Sequence, residues 1–482
     1  MNPAPGPLAW TAMVGAGLRA RLAKRRRALA NTDLWRRRSF AVQARTLRDN
    51  LAHAADTQIG RAHGFGRLAR INDDAELVRA YRQAVPVGDW YSIKDQIARM
   101  REAGQSGVLW PGLVGHFAQT SGTTAGDKYI PVTREMFRSN YRASLDIFAH
   151  LLNRGIAVER VMSGRCLFLG GSSDLRRGDH GIVTADLSGL VTPLIRWPLS
   201  QIYAPGPRIA LMSEWPEKIE AMARQTSRQD IRFISGMPSW TLALLARVLE
   251  LTGAERILDV WPHLRVFVHG GVKYQPFRAR FGELLTGDRG GDFDHRIELY
   301  PASEGFIAMQ DTAGDSALRL NTDLGNFFEF VPLEALDQSG QIAPDAPALD
   351  VGTVEPGTRC CVVISSCAGL WRYNIGDVVE FEDVPDGPAR TGTGPARLRI
   401  VGRHRHFINA FGENLIVEHI ERAVSDAAER TGAAVGEFTA APVYPSETRP
   451  AGLELAIEIR GPAPEGFARA FDDALKAQIG RA

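Results

Sequence analysis

The segment Thr120-Ser121-Gly122-Thr123-Thr124-Ala125-Gly126-Asp127-Lys128 gathers four hydroxyls, two glycines and a lysine into nine residues. Backbone N–H groups and hydroxyls in such a turn converge on an anion, and the lysine adds a point charge, so the stretch reads as a phosphate cradle. It is not a Walker A loop, because GxxxxGK[ST] is absent. The plainer reading is a polar surface loop, and the apolar Tyr129-Ile130-Pro131-Val132 that follows favours the functional one. A second segment, Tyr300-Pro301-Ala302-Ser303-Glu304-Gly305, offers an aromatic to stack on a base, a hydroxyl for a phosphate and a carboxylate for Mg²⁺. Its alternative is a strand end capped by Ser303 with Glu304 in water. In a third, Leu370-Trp371-Arg372-Tyr373-Asn374-Ile375-Gly376-Asp377, a carboxylate after a tight turn suits a ribose diol. The fourth, Gly402-Arg403-His404-Arg405-His406-Phe407-Ile408-Asn409-Ala410-Phe411-Gly412-Glu413, is a basic turn able to reach a ribose or phosphate. His404 and His406 lack a third ligand nearby, and the flanking arginines disfavour a cation.

These residues need a scaffold. From Trp10 to about Ala84 the pattern is helical, with Leu34, Phe40, Leu47, Leu51 and Ala54 set between charged positions. From Val114 onward, short apolar runs (Cys166 to Leu169, Ile231 to Ile234, Val266 to Val268, Ile297 to Tyr300, Phe327 to Val331, Cys361 to Ile364) interleave with helical stretches such as Pro216 to Gln225 and Trp240 to Leu251. That alternation predicts an α/β domain. Asp383 to Pro395 is rich in Pro, Gly, Asp and Thr and marks a loop. A strand over Leu398 to Val401, a helix over Val417 to Thr431 and a strand over Leu453 to Ile459 then predict a small α+β unit from about residue 403. The expected division is 1–398, with 1–84 as a helical lead-in, and 403–482.

With 482 residues the chain exceeds what one core supports. A net charge of +2, with acidic residues interspersed among the arginines, argues against nucleic acid as a partner. Four cysteines (Cys166, Cys360, Cys361, Cys367) are too few for a disulfide framework, which fits a reducing cytosol. The apolar run Leu8 to Leu18 precedes its positive cluster, the wrong order for a signal peptide, and is too short to span a bilayer. It reads as the start of an amphipathic helix, with peripheral membrane contact as the lesser alternative.

Taken in order, a hydroxyl-rich loop, Tyr-x-x-Ser-Glu, Arg-x-x-x-Gly-Asp and Gly-Arg-x(5)-Asn-x-x-Gly-Glu resemble the adenylate-forming superfamily of acyl and aryl ligases. Within it the chain is most similar to the auxin-responsive acyl acid amido synthetases, the Gretchen Hagen three family of plants, and looks like a bacterial member. The resemblance runs from about residue 40 to the end. It takes in Ala55-Asp56-Thr57-Gln58-Ile59-Gly60 with His63-Gly64-Phe65, and Val85-Pro86-Val87 with Tyr91, as the family's lead-in. Gly236-Met237-Pro238-Ser239-Trp240 and His269-Gly270-Gly271 fall where the family has acyl-pocket elements. It implies a large N-terminal adenylate-forming domain of mixed sheets flanked by helices and a small mobile α+β C-terminal domain. Ser121, Gly122, Thr123 and Thr124 would hold the ATP phosphates, with Lys128 nearby. Tyr300 would pack on adenine, Ser303 would contact the α-phosphate and Glu304 would bind Mg²⁺. Asp377 would take the ribose hydroxyls, Arg403 would support ribose or phosphate, and Arg405 would mark the hinge.

The implied reaction has two halves. A carboxylate attacks the α-phosphorus of ATP and expels pyrophosphate; an amine, usually an amino acid, then takes the acyl group and makes an amide. Ala125-Gly126 shifts the loop glycine by one place from the common superfamily pattern, which bears on the placing of Lys128. The chain stops at Ala482, where family members continue through a lysine-containing region, and Lys476 is its sole lysine after Lys273. Two rival readings follow: a ligase of the same superfamily acting on coenzyme A or a carrier thiol, and a truncated, non-catalytic ATP- or acyl-binding protein.

Overall fold

The computed structural model describes residues 9–120, 128–171, 175–195, 199–337, 341–387, 390–403, 408–410, 413–415, 417–443, 452–461 and 464–479. β1 (His116–Thr120) and β2 (Lys128–Pro131) pair antiparallel. β3 (Arg165–Phe168) enters a large sheet, whereas β4 (Arg176–Arg177) and β5 (Val183–Ala185) return to the hairpin in the order β2-β1-β5-β4. β6 (Tyr203–Ala204), β7 (Ile231–Ser235), β8 (Val266–Gly270) and β9 (His295–Ala302) extend β3 in parallel. β10 (Gly305–Met309), β11 (Leu318–Leu320), β12 (Phe327–Pro332), β13 (Arg359–Ser365), β14 (Tyr373–Asp383) and β15 (Arg397–Arg403) complete it antiparallel. The large sheet therefore runs β12-β13-β14-β15-β11-β10-β9-β8-β7-β3-β6.

The sequence dictates this mixture. β8 and β13 are nearly continuous apolar runs, Val266 to Val268 and Cys360 to Ile364, and they lie buried, as strands covered on both faces must. Over the parallel half, one face carries the helices Trp215–Thr226, Pro238–Thr252 and Arg278–Thr286 on a core around Ile234, Leu245, Trp261 and Phe267. The helix Pro238–Thr252 starts with proline in its first turn and stops at Gly253, whose φ of +68° suits glycine. The other face holds the helix Arg134–Asn153 over Phe233, Val266 and Ile297. The third core lies under the antiparallel half and takes in Leu47, Leu51, Tyr81 and Phe65 of the N-terminal helices.

The helical lead-in is integral to that core. The helix Thr32–His53 is capped by Asn31, which accepts from the Leu34 N–H at 2.9 Å. Inside it, the fully buried Gln43 donates to the carbonyls of Thr322 and Asn326 at 2.6 and 2.8 Å and accepts the Phe328 N–H at 2.8 Å. The run read as an amphipathic start belongs to the helix Ala9–Ala30. Val14, Leu18 and Leu22 of that helix pack against Ile147, Leu151 and Val158, so the protein itself covers this apolar side. Among the described residues no helix is long and apolar enough to cross a membrane.

Beyond β15 come a hairpin of β16 (Ile408–Ala410) and β17 (Glu413–Leu415), the helix Val417–Thr431, the antiparallel pair β18 (Val435–Val443) and β19 (Gly452–Ile459), and the helix Phe467–Ile479. Ile420, Val424, Ala427, Phe467 and Phe471 form a core of this region alone. One local expectation is corrected here: Gly376 and Asp377 do not follow a tight turn but lie inside the eleven-residue strand β14.

Candidate active site

Tyr300 and Glu304 are placed by the β9–β10 hairpin. Ala302 pairs with Gly305, which leaves Ser303 and Glu304 as its two-residue turn. A Cβ on Gly305 would stand 2.5 Å from Asn326 Nδ2 and 3.1 Å from Ile364 Cδ1. Glycine is what lets the hairpin close against Asn326 and β13. Along β9, Ile297 and Leu299 enter the core on one face, and the alternation sends Glu298 and Tyr300 to the other.

Asp377 is aimed by a bulge. Between the pairs Val363↔Asn374 and Cys361↔Val378, β14 uses two residues more than β13. Gly376 takes up the distortion at φ +92°, and its N–H donates to Asn374 Oδ1 at 3.0 Å. Bulges of this kind bend a strand and redirect a side chain. Asp377 is in register with Arg403, the last residue of β15. Its Oδ1 accepts from Arg403 Nε at 2.8 Å and its Oδ2 from Tyr300 Oη at 2.6 Å. β9 and β14 are not neighbours in the sheet, so the Tyr300–Asp377 bond is a tertiary contact that the fold must assemble.

The electrostatics follow from that arrangement. Burial, then the Asp377 carboxylate, push the Tyr300 phenol well up, so Tyr300 stays protonated and donates. Burial also pushes the Glu304 carboxyl up. Asp377 adds to the rise, while Arg403 and Lys128 oppose it. Burial opposes the Arg403 charge, and Asp377 more than offsets that penalty. Lys128 begins β2 opposite Thr120, the end of β1, and thus delivers its charge toward Glu304. Lys128, Tyr300, Glu304, Asp377 and Arg403 form one neighbourhood, with Ser303 beside Glu304 in the turn. Ser121, Gly122, Thr123 and Thr124 lie outside the described residues, as do His404, Arg405 and His406.

Sequence reasoning missed the support beneath β14. Arg372 is 1% exposed and has φ +44°. It donates to Glu329 Oε2 at 3.0 Å and to the carbonyls of Val85 and Arg82 at 2.8 and 3.2 Å. Arg82 bridges Glu329 and Asp350 at 2.9 and 3.0 Å. A lone carboxylate within the apolar run Phe327–Val331 was the available signal. The two expected acyl-pocket segments do meet: a Cβ on Gly271 would touch Met237 at 3.3 Å. In the second of them His269 is 1% exposed, and neither ring nitrogen has a hydrogen-bond partner among the described residues. Burial, then Arg296, push it down to about 3, which leaves a neutral imidazole beside Phe267 and Tyr274.

The GH3 family N-terminal domain matches residues 29–192 and 182–289, and the GH3 family central domain matches residues 320–388. The chain belongs to the GH3 family. Its relatives include the indole-3-acetic acid-amido synthetase GH3.8 of Oryza sativa subsp. indica, 24% identical over 464 residues, covering 83% of this chain and 72% of that one. Among solved structures, the GH3.15 acyl acid amido synthetase in complex with 2,4-DB aligns at 16% identity with a TM-score of 0.70, covering 91% of this chain and 82% of that one. A 2-hydroxyisobutyryl-CoA ligase in the postadenylation state, in complex with 2-HIB-AMP, aligns at 15% identity and 0.57 over 91% and 83%. This GH3 chain therefore has the adenylate-forming fold that its motifs led us to expect.

Proposed function

We propose that this GH3 protein uses ATP to activate a small carboxylic acid as its acyl-adenylate and passes the acyl group to an amine, an amino acid in the first instance, to form an amide. The observation that carries the reading is the tertiary cluster of Tyr300, Asp377 and Arg403 beside Glu304, in a chain of a family whose relatives bear the name amido synthetase. In the first half-reaction an acid oxygen bonds to the α-phosphorus as the bond to pyrophosphate breaks. In the second, the amine nitrogen bonds to the acyl carbon, AMP departs and the nitrogen gives up a proton.

The residues divide this work by their chemistry. Asp377 presents two carboxylate oxygens suited to a ribose diol, Tyr300 offers its ring to adenine, and Ser303 reaches the α-phosphate. Ser121, Gly122, Thr123, Thr124 and Lys128 meet the phosphates, and Arg403 adds positive charge where negative charge accumulates. Mg²⁺ is ordinarily held by one or two carboxylates together with substrate phosphates, and Glu304 fits that role because burial disfavours its ionised form until a cation is present. Such an ion would neutralise charge on the phosphates. We assign 1–398 to nucleotide and acid binding and 403–482 to a mobile C-terminal unit, and place the enzyme in the cytoplasm, a reading supported by four free, buried cysteines.

Incubation with MgATP and a panel of carboxylic acids tests this through acid-dependent exchange of labelled pyrophosphate into ATP. Exchange that disappears in Glu304→Ala is expected; ATP binding without exchange for any acid would overturn it. The likeness to a CoA ligase fold keeps a thiol acceptor as the second reading, and mass detection of amide against thioester separates the two.

A further inference from the structure

A second charged cluster borders the site and takes no part in the reading above. Lys273 stands just after β8, and its Nζ lies 3.2 Å from Glu421 Oε2 on the helix Val417–Thr431. Both side chains are partly buried, at 30% and 19% exposure. Glu298 of β9 is near enough to sense each of them. Burial pushes its carboxyl up, Lys273 and Arg296 pull it back, and Glu421 adds to the rise. Lys273 thus pairs with a carboxylate of the C-terminal region and acts electrostatically on one of the large sheet.

The position of this cluster gives it leverage. Glu298 and Tyr300 share a face of β9, and Tyr300 holds Asp377, which holds Arg403 at the boundary of the C-terminal unit. The helix Val417–Thr431 also contacts the turn Gln275–Phe277 directly after Lys273. Among the described residues the C-terminal core contains none from the rest of the chain, so moving this unit need not open an apolar core shared among them. If the Lys273–Glu421 pair parts, the Lys273 ammonium remains within electrostatic reach of Glu298.

We infer that Lys273 is a positioning residue: its ion pair with Glu421 holds or releases the C-terminal unit at the ends of β8 and β9 and so sets the balance between adenylate formation and acyl transfer. This rests on the two-step reaction proposed above.

The test uses the full chain and the variants Lys273→Ala, Glu421→Gln, their double variant and Lys273→Arg. Hydrogen exchange over 417–431 in the ligand-free protein and the ratio of pyrophosphate exchange to amide formation are both measured. Each single variant is expected to speed helix exchange roughly three- to fivefold, the size of a partly exposed ion pair, and to move the rate ratio in the same sense. The double variant should add nothing further, as coupled partners require, and Lys273→Arg should stay near the parent. Unchanged helix protection in both single variants, or additive effects in the double, overturns the inference. A parent chain without acid-dependent exchange overturns the two-step reading instead, while altered helix protection would still sustain the ion-pair clamp.

Discussion

Replacing Asp377 with asparagine keeps the shape of the side chain and removes its charge. Hydrogen bonds to a charged group contribute about 1.5–3 kcal/mol and neutral ones about 0.5–1.5, so each ribose hydroxyl held by Asp377 should lose about 1 kcal/mol. Two such bonds make about 2 kcal/mol, or roughly thirtyfold in apparent ATP affinity. Part of this is already spent in the ligand-free chain, where Tyr300 and Arg403 occupy both carboxylate oxygens at 2.6 and 2.8 Å. Ribose must exchange with those partners, which lowers the expected effect toward roughly tenfold. Arg403, half exposed at 52%, can turn to water when its partner is neutralised, so the melting temperature should move little. The assay is the KM for ATP in acid-dependent pyrophosphate exchange, with thermal unfolding as the control. A KM within about threefold of the parent at unchanged thermal stability would show that Asp377 is a structural ion-pair partner only.

Three further outcomes follow from the same geometry. Because burial raises the Glu304 carboxyl, its proton is held more tightly in the folded chain than in the unfolded one; the stability it contributes is present at low pH and lost as pH rises through the raised value. Glu304→Gln should therefore melt above the parent at about pH 8 and close to it at about pH 4, while losing pyrophosphate exchange. Arg372→Met leaves Glu329 with Arg82 alone and two carbonyls without a donor, which should cost about 3 kcal/mol or more in denaturant unfolding. Glu329→Leu added to it should recover part of that loss, since Arg82 keeps Asp350. Gly305→Ala forces a Cβ toward Asn326 and Ile364, with an expected loss of about 1–3 kcal/mol and a fall in exchange activity as the Glu304 turn shifts.

Much of the scaffold was legible because burial on both faces writes itself as continuous apolar runs. Val266 to Val268 and Cys361 to Ile364 announced central strands, and the helix Val417–Thr431 appeared with the bounds expected of it. β14 was not legible, because Gly376 and Asp377 look like a turn locally and become a bulge only when β13 and β15 pair on either side. For the same reason the Tyr300–Asp377 bond has no sequence signature: 77 residues separate its partners, and only the tertiary fold brings them within reach. Arg372 was visible within a motif, yet its burial against Glu329 depends on three separate chain segments. Lys273 and Glu421 carry no local pattern at all.

The hydrogen bonds of Gln43 have a consequence for how the chain is made. Their partners lie 279 to 285 residues later. At about 5–20 residues per second, the ribosome needs roughly 15 to 60 seconds after Gln43 emerges before Thr322, Asn326 and Phe328 exist to receive it. For that interval the helix Thr32–His53 has an apolar face with no sheet to cover it and an amide with no backbone to satisfy. Docking of this helix onto the sheet must therefore be late although its synthesis is early.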